Sequence, residues 1–146
     1  MITIRTATSA DVEQMVELLS ELFAIEADFV FDRDKQVCGL RQLLESGKDR
    51  VFVAESGKHV VGMCSVQTLI STAEGGPVGL LEDLIVTAAF RRQGIGEKLL
   101  AAAVDWAERQ GFKRLQLLAD KNNLPALAFY EKQAWCQTQL ICLRKC

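Results

Sequence analysis

One stretch of this sequence constrains the fold more than any other, and it runs from Val78 to Ala119. It opens with an apolar, strand-like run, Val78 to Val86, passes through a short loop and meets Gly94-Ile95-Gly96. From Gly94 to Gln110 the period becomes helical, with Ile95, Leu99, Ala103 and Trp106 on one side. Gly111 stands just past the end, where a left-handed residue stops a helix. Leu115 to Ala119 is apolar again. A strand, a helix and a strand in such quick succession predict a parallel pair joined by a right-handed crossover.

The rest of the chain arranges itself around that unit. Ile2, Ile4 and Arg5 alternate with threonines, as in a first strand. Thr8-Ser9-Ala10-Asp11 reads as a capping box for a helix whose apolar face is Val12, Met15, Val16, Leu19, Leu22 and Phe23. An acidic stretch, Glu26 to Asp34, leads to a shorter helix carried by Val37, Leu40 and Leu44. Arg50 to Ala54 and His59 to Thr68 form a hairpin about the turn Glu55 to Lys58, which puts His59 in a solvated turn. Asn122 or Asn123 caps a further helix with Pro125 in its first turn. The tail from Trp135 to Lys145 is expected to add a last strand or pair. The fold class is therefore α/β (mixed α+β), a mostly antiparallel twisted sheet of about six or seven strands flanked by about four helices.

With 146 residues, 49% of them hydrophobic, no internal repeat and no linker, the chain is expected to be a single domain, 1–146. The 17 basic residues against 19 acidic ones occur only as short pairs, which argues against a nucleic-acid partner. The longest purely apolar run, Leu99 to Val104, is far short of the ~20 residues of a membrane span. The start, Met-Ile-Thr-Ile-Arg-Thr, lacks a basic segment ahead of an apolar one, so no secretion signal is expected. Five cysteines with no Cys-x-x-Cys predict reduced thiols in a cytoplasmic protein, and neither a disulfide framework nor a metal site. With His59 as the sole histidine, a Ser-His-Asp triad is not expected either.

Two glycines opening a helix make an anion cradle. The first amides of a helix have no partner inside it, the helix dipole is positive there, and glycine lets a ligand approach the backbone. A nucleotide-hydrolysing loop would need Gly-Lys-Ser/Thr, but Gly96 is followed by Glu97-Lys98-Leu99. A dinucleotide fingerprint would need glycine where Leu99 stands, and on the first strand of its fold.

The loop Arg91-Arg92-Gln93-Gly94-Ile95-Gly96 instead resembles the pyrophosphate loop Arg/Gln-x-x-Gly-x-Gly/Ala of the GNAT superfamily of acetyl-CoA-dependent N-acetyltransferases. The preceding strand ends in the hydrophobic-Val pair Ile85-Val86, as in that family, and a second family motif, Asn-x-x-Ala-x-x-x-Tyr, is matched by Asn123, Ala126 and Tyr130. The two motifs come in the family's order and separation, and the order of elements agrees over essentially the whole chain.

The resemblance implies that acetyl-CoA is the cosubstrate and gives each matching residue a role. The backbone of Leu84, Ile85 and Val86 would hold the pantetheine arm like an added strand, with the Val86 amide donating to an oxyanion. Amides from Arg92 through Gln93, Gly94, Ile95, Gly96 and Glu97 would wrap the pyrophosphate, with Arg91 and Arg92 adding charged contacts. Asn123 would touch the pantetheine region, and Tyr130 would protonate the departing thiolate. The attacking amine must be neutral, which calls for a base. Glu82 is the candidate: it lies four residues before Val86, on the same strand face if the period of two holds, with Asp83 on the other face.

Ala134-Trp135 stands where the family has Gly-Phe, so the turn after the tyrosine helix is expected to differ. The short tail leaves a final strand truncated or exchanged with a partner subunit, and a homodimer stays open. The function expected is acetyl transfer to a primary amine of a small molecule by direct attack. A protein or peptide acceptor, or a non-catalytic acyl-CoA-binding regulatory module, are the alternatives. The acidic residues Glu21, Glu26, Asp28, Asp32 and Asp34 either flank an acceptor cleft or form an ordinary solvated face.

Overall fold

The computed structural model describes residues 1–146. Its strands are β1 (Ile2–Thr6), β2 (Arg50–Ser56), β3 (His59–Ser71), β4 (Gly76–Val86) and β5 (Leu115–Leu117). Its helices are α1 (Val12–Ile25), α2 (Arg33–Glu45), α3 (Ile95–Arg109) and α4 (Leu124–Lys132). The strands form one sheet in the order β1-β2-β3-β4-β5. Only β4 and β5 run parallel, joined through α3 as the crossover pattern predicts.

Alternation along the strands splits the core in two. Val51, Val53 and Met63 face α1 and α2, where they meet Met15, Leu19 and Leu40. Phe52, Ala54, Cys64 and Val66 face the other way, against Ile95, Leu99, Ala103 and Trp106 of α3. Phe129, Tyr130 and Trp135 pack against this second core from α4 and the turn after it. The capping motif before α1 forms, with the Thr8 amide donating to Asp11 Oδ2 at 2.8 Å. Asp11 is also held by Arg5 at 2.8 and 2.9 Å, and Arg5 reaches Glu55 of β2 at 2.7 Å.

Two expectations are corrected. The sheet has five strands rather than six or seven, because residues 136–146 form no strand. Leu140-Ile141-Cys142-Leu143 is a consecutive apolar run rather than an alternating one, and β5 pairs over only three residues, a short edge on which to add a strand. The turn after α4 keeps its form despite lacking glycine. Ala134 itself takes φ 68°, and the Trp135 amide bonds the Tyr130 carbonyl at 2.9 Å, closing the helix end.

Candidate active site

The site begins where β4 leaves its parallel neighbour. β5 pairs with Gly79, Leu80 and Leu81 and no further, so from Glu82 to Val86 the outer edge of β4 has no strand partner. This wedge is the opening expected for an added extended ligand. At its far end the chain turns through Ala88–Phe90 and enters α3 by way of two left-handed residues, Arg92 at φ 62° and Gly94 at φ 78°.

Gly94 is the N-cap of α3, and the first amide to close a helical bond is that of Lys98, to the Gly94 carbonyl at 3.1 Å. The amides of Ile95, Gly96 and Glu97 thus remain free to bind an anion. Arg92, Gln93, Gly94 and Glu97 are exposed, while Ile95 is buried in the second core and anchors the loop. No atom lies within 4 Å of where a Gly94 Cβ would stand, so the cradle is open. A Cβ on Gly96 would lie 3.5 Å from the Phe129 ring, which sets α4 directly against the loop.

Arg91, next to the loop, folds back onto the end of β4. Its Nε donates to the Val86 carbonyl at 2.8 Å, and its guanidinium stands 3.7 Å from Glu21. Glu21 in turn accepts from Thr87 Oγ1 at 2.6 Å, so it ties α1 to the end of β4. Asn123 caps α4, its Oδ1 accepting from the Ala126 amide at 3.2 Å. Its side-chain NH2 is left for other contacts.

Tyr130 is half-buried, its ring 5.3 Å from that of Phe129 and 6.0 Å from that of Trp135. Burial, with smaller contributions from Cys64 and Glu26, pushes its phenol up to about 12, so it holds its proton throughout the neutral range. Cys64 lies fully inside, with its thiol 3.7 Å from the Leu99 carbonyl, and burial pushes it up to about 12 as well. A thiol so strongly protonated is no nucleophile at neutral pH.

The carboxylates do not sit as the period of two predicts. Ser65 pairs with Glu82 and Met63 with Ile85, so three steps on β4 match two on β3 and one residue bulges. Glu82 therefore shares the face of Ser65, toward α1 and α2, where its Oε2 accepts from Gln67 Nε2 at 3.2 Å. Val86 pairs with Gly62 and belongs to the α3 face, so the two residues do not share a face. The bulge centres on Asp83, at φ 55°. Its carboxyl is pushed up to about 7, first by burial and then by the charges of Glu82 and Glu26. Glu26, just beyond α1, is itself raised by burial and by Asp120, Glu82 and Asp28.

The acidic stretch thus divides. Glu26 is half-buried and feels the charges of Asp120 and Glu82, whereas Asp32 caps α2. Of the acids grouped here, only Asp120 is not singled out by the sequence; Glu26 belongs to the acidic stretch, and the strand period puts Asp83 on the face opposite Glu82. No group of three or more His, Cys, Asp or Glu side chains is arranged to hold a metal ion, and no helix is long and apolar enough to cross a membrane.

Known proteins resemble the chain along nearly its whole length. The model of the acetyltransferase (GNAT) family matches residues 12–135. An uncharacterized N-acetyltransferase of Archaeoglobus fulgidus is 32% identical over 132 residues, 89% of this chain and 90% of that one. An aminoalkylphosphonate N-acetyltransferase of Salmonella typhimurium is 27% identical over 92% of this chain and 85% of its own length. Among solved structures, an aminoglycoside acetyltransferase from an uncultured soil metagenomic sample, in complex with trehalose, superposes with a TM-score of 0.82 at 26% identity, covering 99% of this chain and 95% of that one.

Proposed function

The chain belongs to the GNAT acetyltransferase family and is an acyltransferase, and from that premise we propose that it moves an acetyl group from acetyl-CoA to a primary amine of a small molecule by direct attack. The observation that carries this reading is the continuity of the wedge: free helix amides at one end, an unpaired strand edge along it, and a protonated tyrosine beside it. In this reading the 146 residues work as one domain.

Acetyl-CoA, when bound, supplies an activated acetyl thioester. The amides from Arg92 to Glu97 hold its pyrophosphate, helped by the positive end of α3. Leu84, Ile85 and Val86 offer backbone groups to the amide-bearing arm as a strand would, with Val86 N–H a donor to carbonyl oxygen at the edge. Displacing Arg91 from the Val86 carbonyl frees that acceptor for the arm and leaves the guanidinium near the phosphates. Asn123 caps α4, and its side-chain NH2 is the group that would touch the arm. Tyr130 donates its proton toward the departing sulfur. A small amine as acceptor is supported by the relatives named for aminoalkylphosphonate and aminoglycoside acetylation.

Thermal unfolding with acetyl-CoA, CoA and ATP tests the cofactor site. At ~100 times the dissociation constant, binding adds about 2.7 kcal/mol, a rise of roughly 5–10 °C for a domain of this size. A rise with acetyl-CoA and CoA but not ATP is expected, followed by thiol release when primary amines are added. No rise with any of them overturns the reading.

A further inference from the structure

The C-terminal segment, residues 136–146, lies on the body with very little to hold it. It makes no hydrogen bond to the rest of the chain; its two bonds, from the Leu140 amide to Thr138 Oγ1 and from the Cys146 thiol to the Arg144 carbonyl, are local. Burial does not hold it either, since Leu140, Ile141 and Leu143 are 83%, 81% and 85% exposed. What places the segment is a cation. The Arg144 guanidinium stands 5.5 Å from the centre of the Phe29 ring, within the range of a cation–π contact. The segment so runs from the end of α4, where the Trp135 ring is 6.0 Å from that of Tyr130, to the connection between α1 and α2.

The seat beneath Arg144 suits positive charge. Phe29 is braced by Phe23 of α1, their ring centres 5.4 Å apart, and is itself still exposed. An aromatic face attracts a cation through its quadrupole. Acids gather at the same place. Asp28 precedes Phe29 in the chain, and the half-buried Glu26 feels the charges of Asp120, Glu82 and Asp28. No ion pair of the molecule includes any of these four carboxylates, and none includes Arg144. The charge of Glu26 also acts on Tyr130, so the seat and the phenol lie within electrostatic reach of each other.

We propose that Phe29, with Glu26 and Asp28, seats a second cationic group of the acceptor, that diamines are therefore preferred acceptors, and that Arg144 is the chain's own stand-in, which the acceptor displaces. The assignment rests on the acetyltransferase reading above and extends it to the far end of the acceptor. One nitrogen of a diamine reacts at the thioester beside Tyr130. The other stays an ammonium and settles on the Phe29 ring among the acids. A monoamine has nothing to place there and leaves Arg144 seated. Because the segment is fastened at so few points, its release exposes no core and costs little.

Straight-chain diamines of graded length, set against monoamines of equal length, test this by thiol release. At a matching length the diamine is expected to have the lower KM. Arg144→Ala should lower that KM about two- to fivefold, the range that an exposed cation–π contact is worth, with kcat, the monoamine KM and the acetyl-CoA thermal shift as in the wild type. Phe29→Leu, still able to pack on Phe23, should raise the diamine KM and erase the preference for diamines. A second readout needs no turnover. The Phe29 ring current shifts the side-chain proton resonances of Arg144, and that shift should vanish in Phe29→Leu and in the wild type saturated with the diamine, but not with the monoamine. Diamines no better than monoamines at any length, or Arg144 resonances indifferent to saturating diamine, overturn the assignment. If the wild type shows no shift with acetyl-CoA, the acetyltransferase reading itself falls. If shift and turnover stand while Arg144→Ala matches the wild type with every diamine, only the seat on Phe29 falls.

Discussion

Tyr130 and Ala134 lie four residues apart and are held by the same helix end, yet they answer to different demands. The Tyr130 ring is fixed between Phe129 and Trp135, so removing its hydroxyl should leave the packing intact. Tyr130→Phe is expected to keep acetyl-CoA affinity and to lower turnover by roughly 10²–10⁴, as measured by thiol release and by titration calorimetry. Ala134 is a question of stability alone. A left-handed alanine costs about 1–2 kcal/mol, and glycine gives back part of the relief through its extra unfolded-state freedom. Ala134→Gly should therefore stabilise the fold by about 0.5–1 kcal/mol in a denaturant titration, with turnover unchanged. The missing glycine at this position predicts a different turn. The hydrogen bonds from the Ala134 and Trp135 amides back to Glu131 and Tyr130 hold the turn in place regardless.

Elements were legible where a periodic pattern met a terminal signal. Gly94 and Gly111, both left-handed, bracket α3 where the sequence put them, and of the two asparagines that could cap α4 it is Asn123 that does. The bulge in β4 was not legible, because it is set by what lies across the ladder. Ser65 and Met63 of β3 fix the register on either side of Asp83, and no local spacing reveals that a residue is skipped. One extra residue was enough to move Glu82 off the face of Val86. The glycine loop carries its own prediction. Valine at Gly94 meets no neighbour, but the φ of 78° is one that a β-branched residue resists, and its side chain would fill the cradle. Gly94→Val should abolish the acetyl-CoA thermal shift, and a full shift in that variant would remove the loop from the binding site.

At the scale of the molecule, the architecture was legible because one sheet with helices on both faces is what alternating strands and amphipathic helices must build. The strand count was not, since the C-terminal segment met neither a long edge nor an alternating pattern of its own. The chain's two tryptophans differ in burial within the second core. Trp106 lies in the core beneath Phe52 and Phe112, its indole N–H buried and unpartnered. Trp135 lies half-buried, its ring 6.0 Å from that of Tyr130. As light emitters they report on different events. Emission from Trp106 stays short in wavelength until the core opens, while that of Trp135 responds to whatever settles beside the tyrosine. The unlabelled protein thus carries one optical gauge of unfolding and another of occupancy.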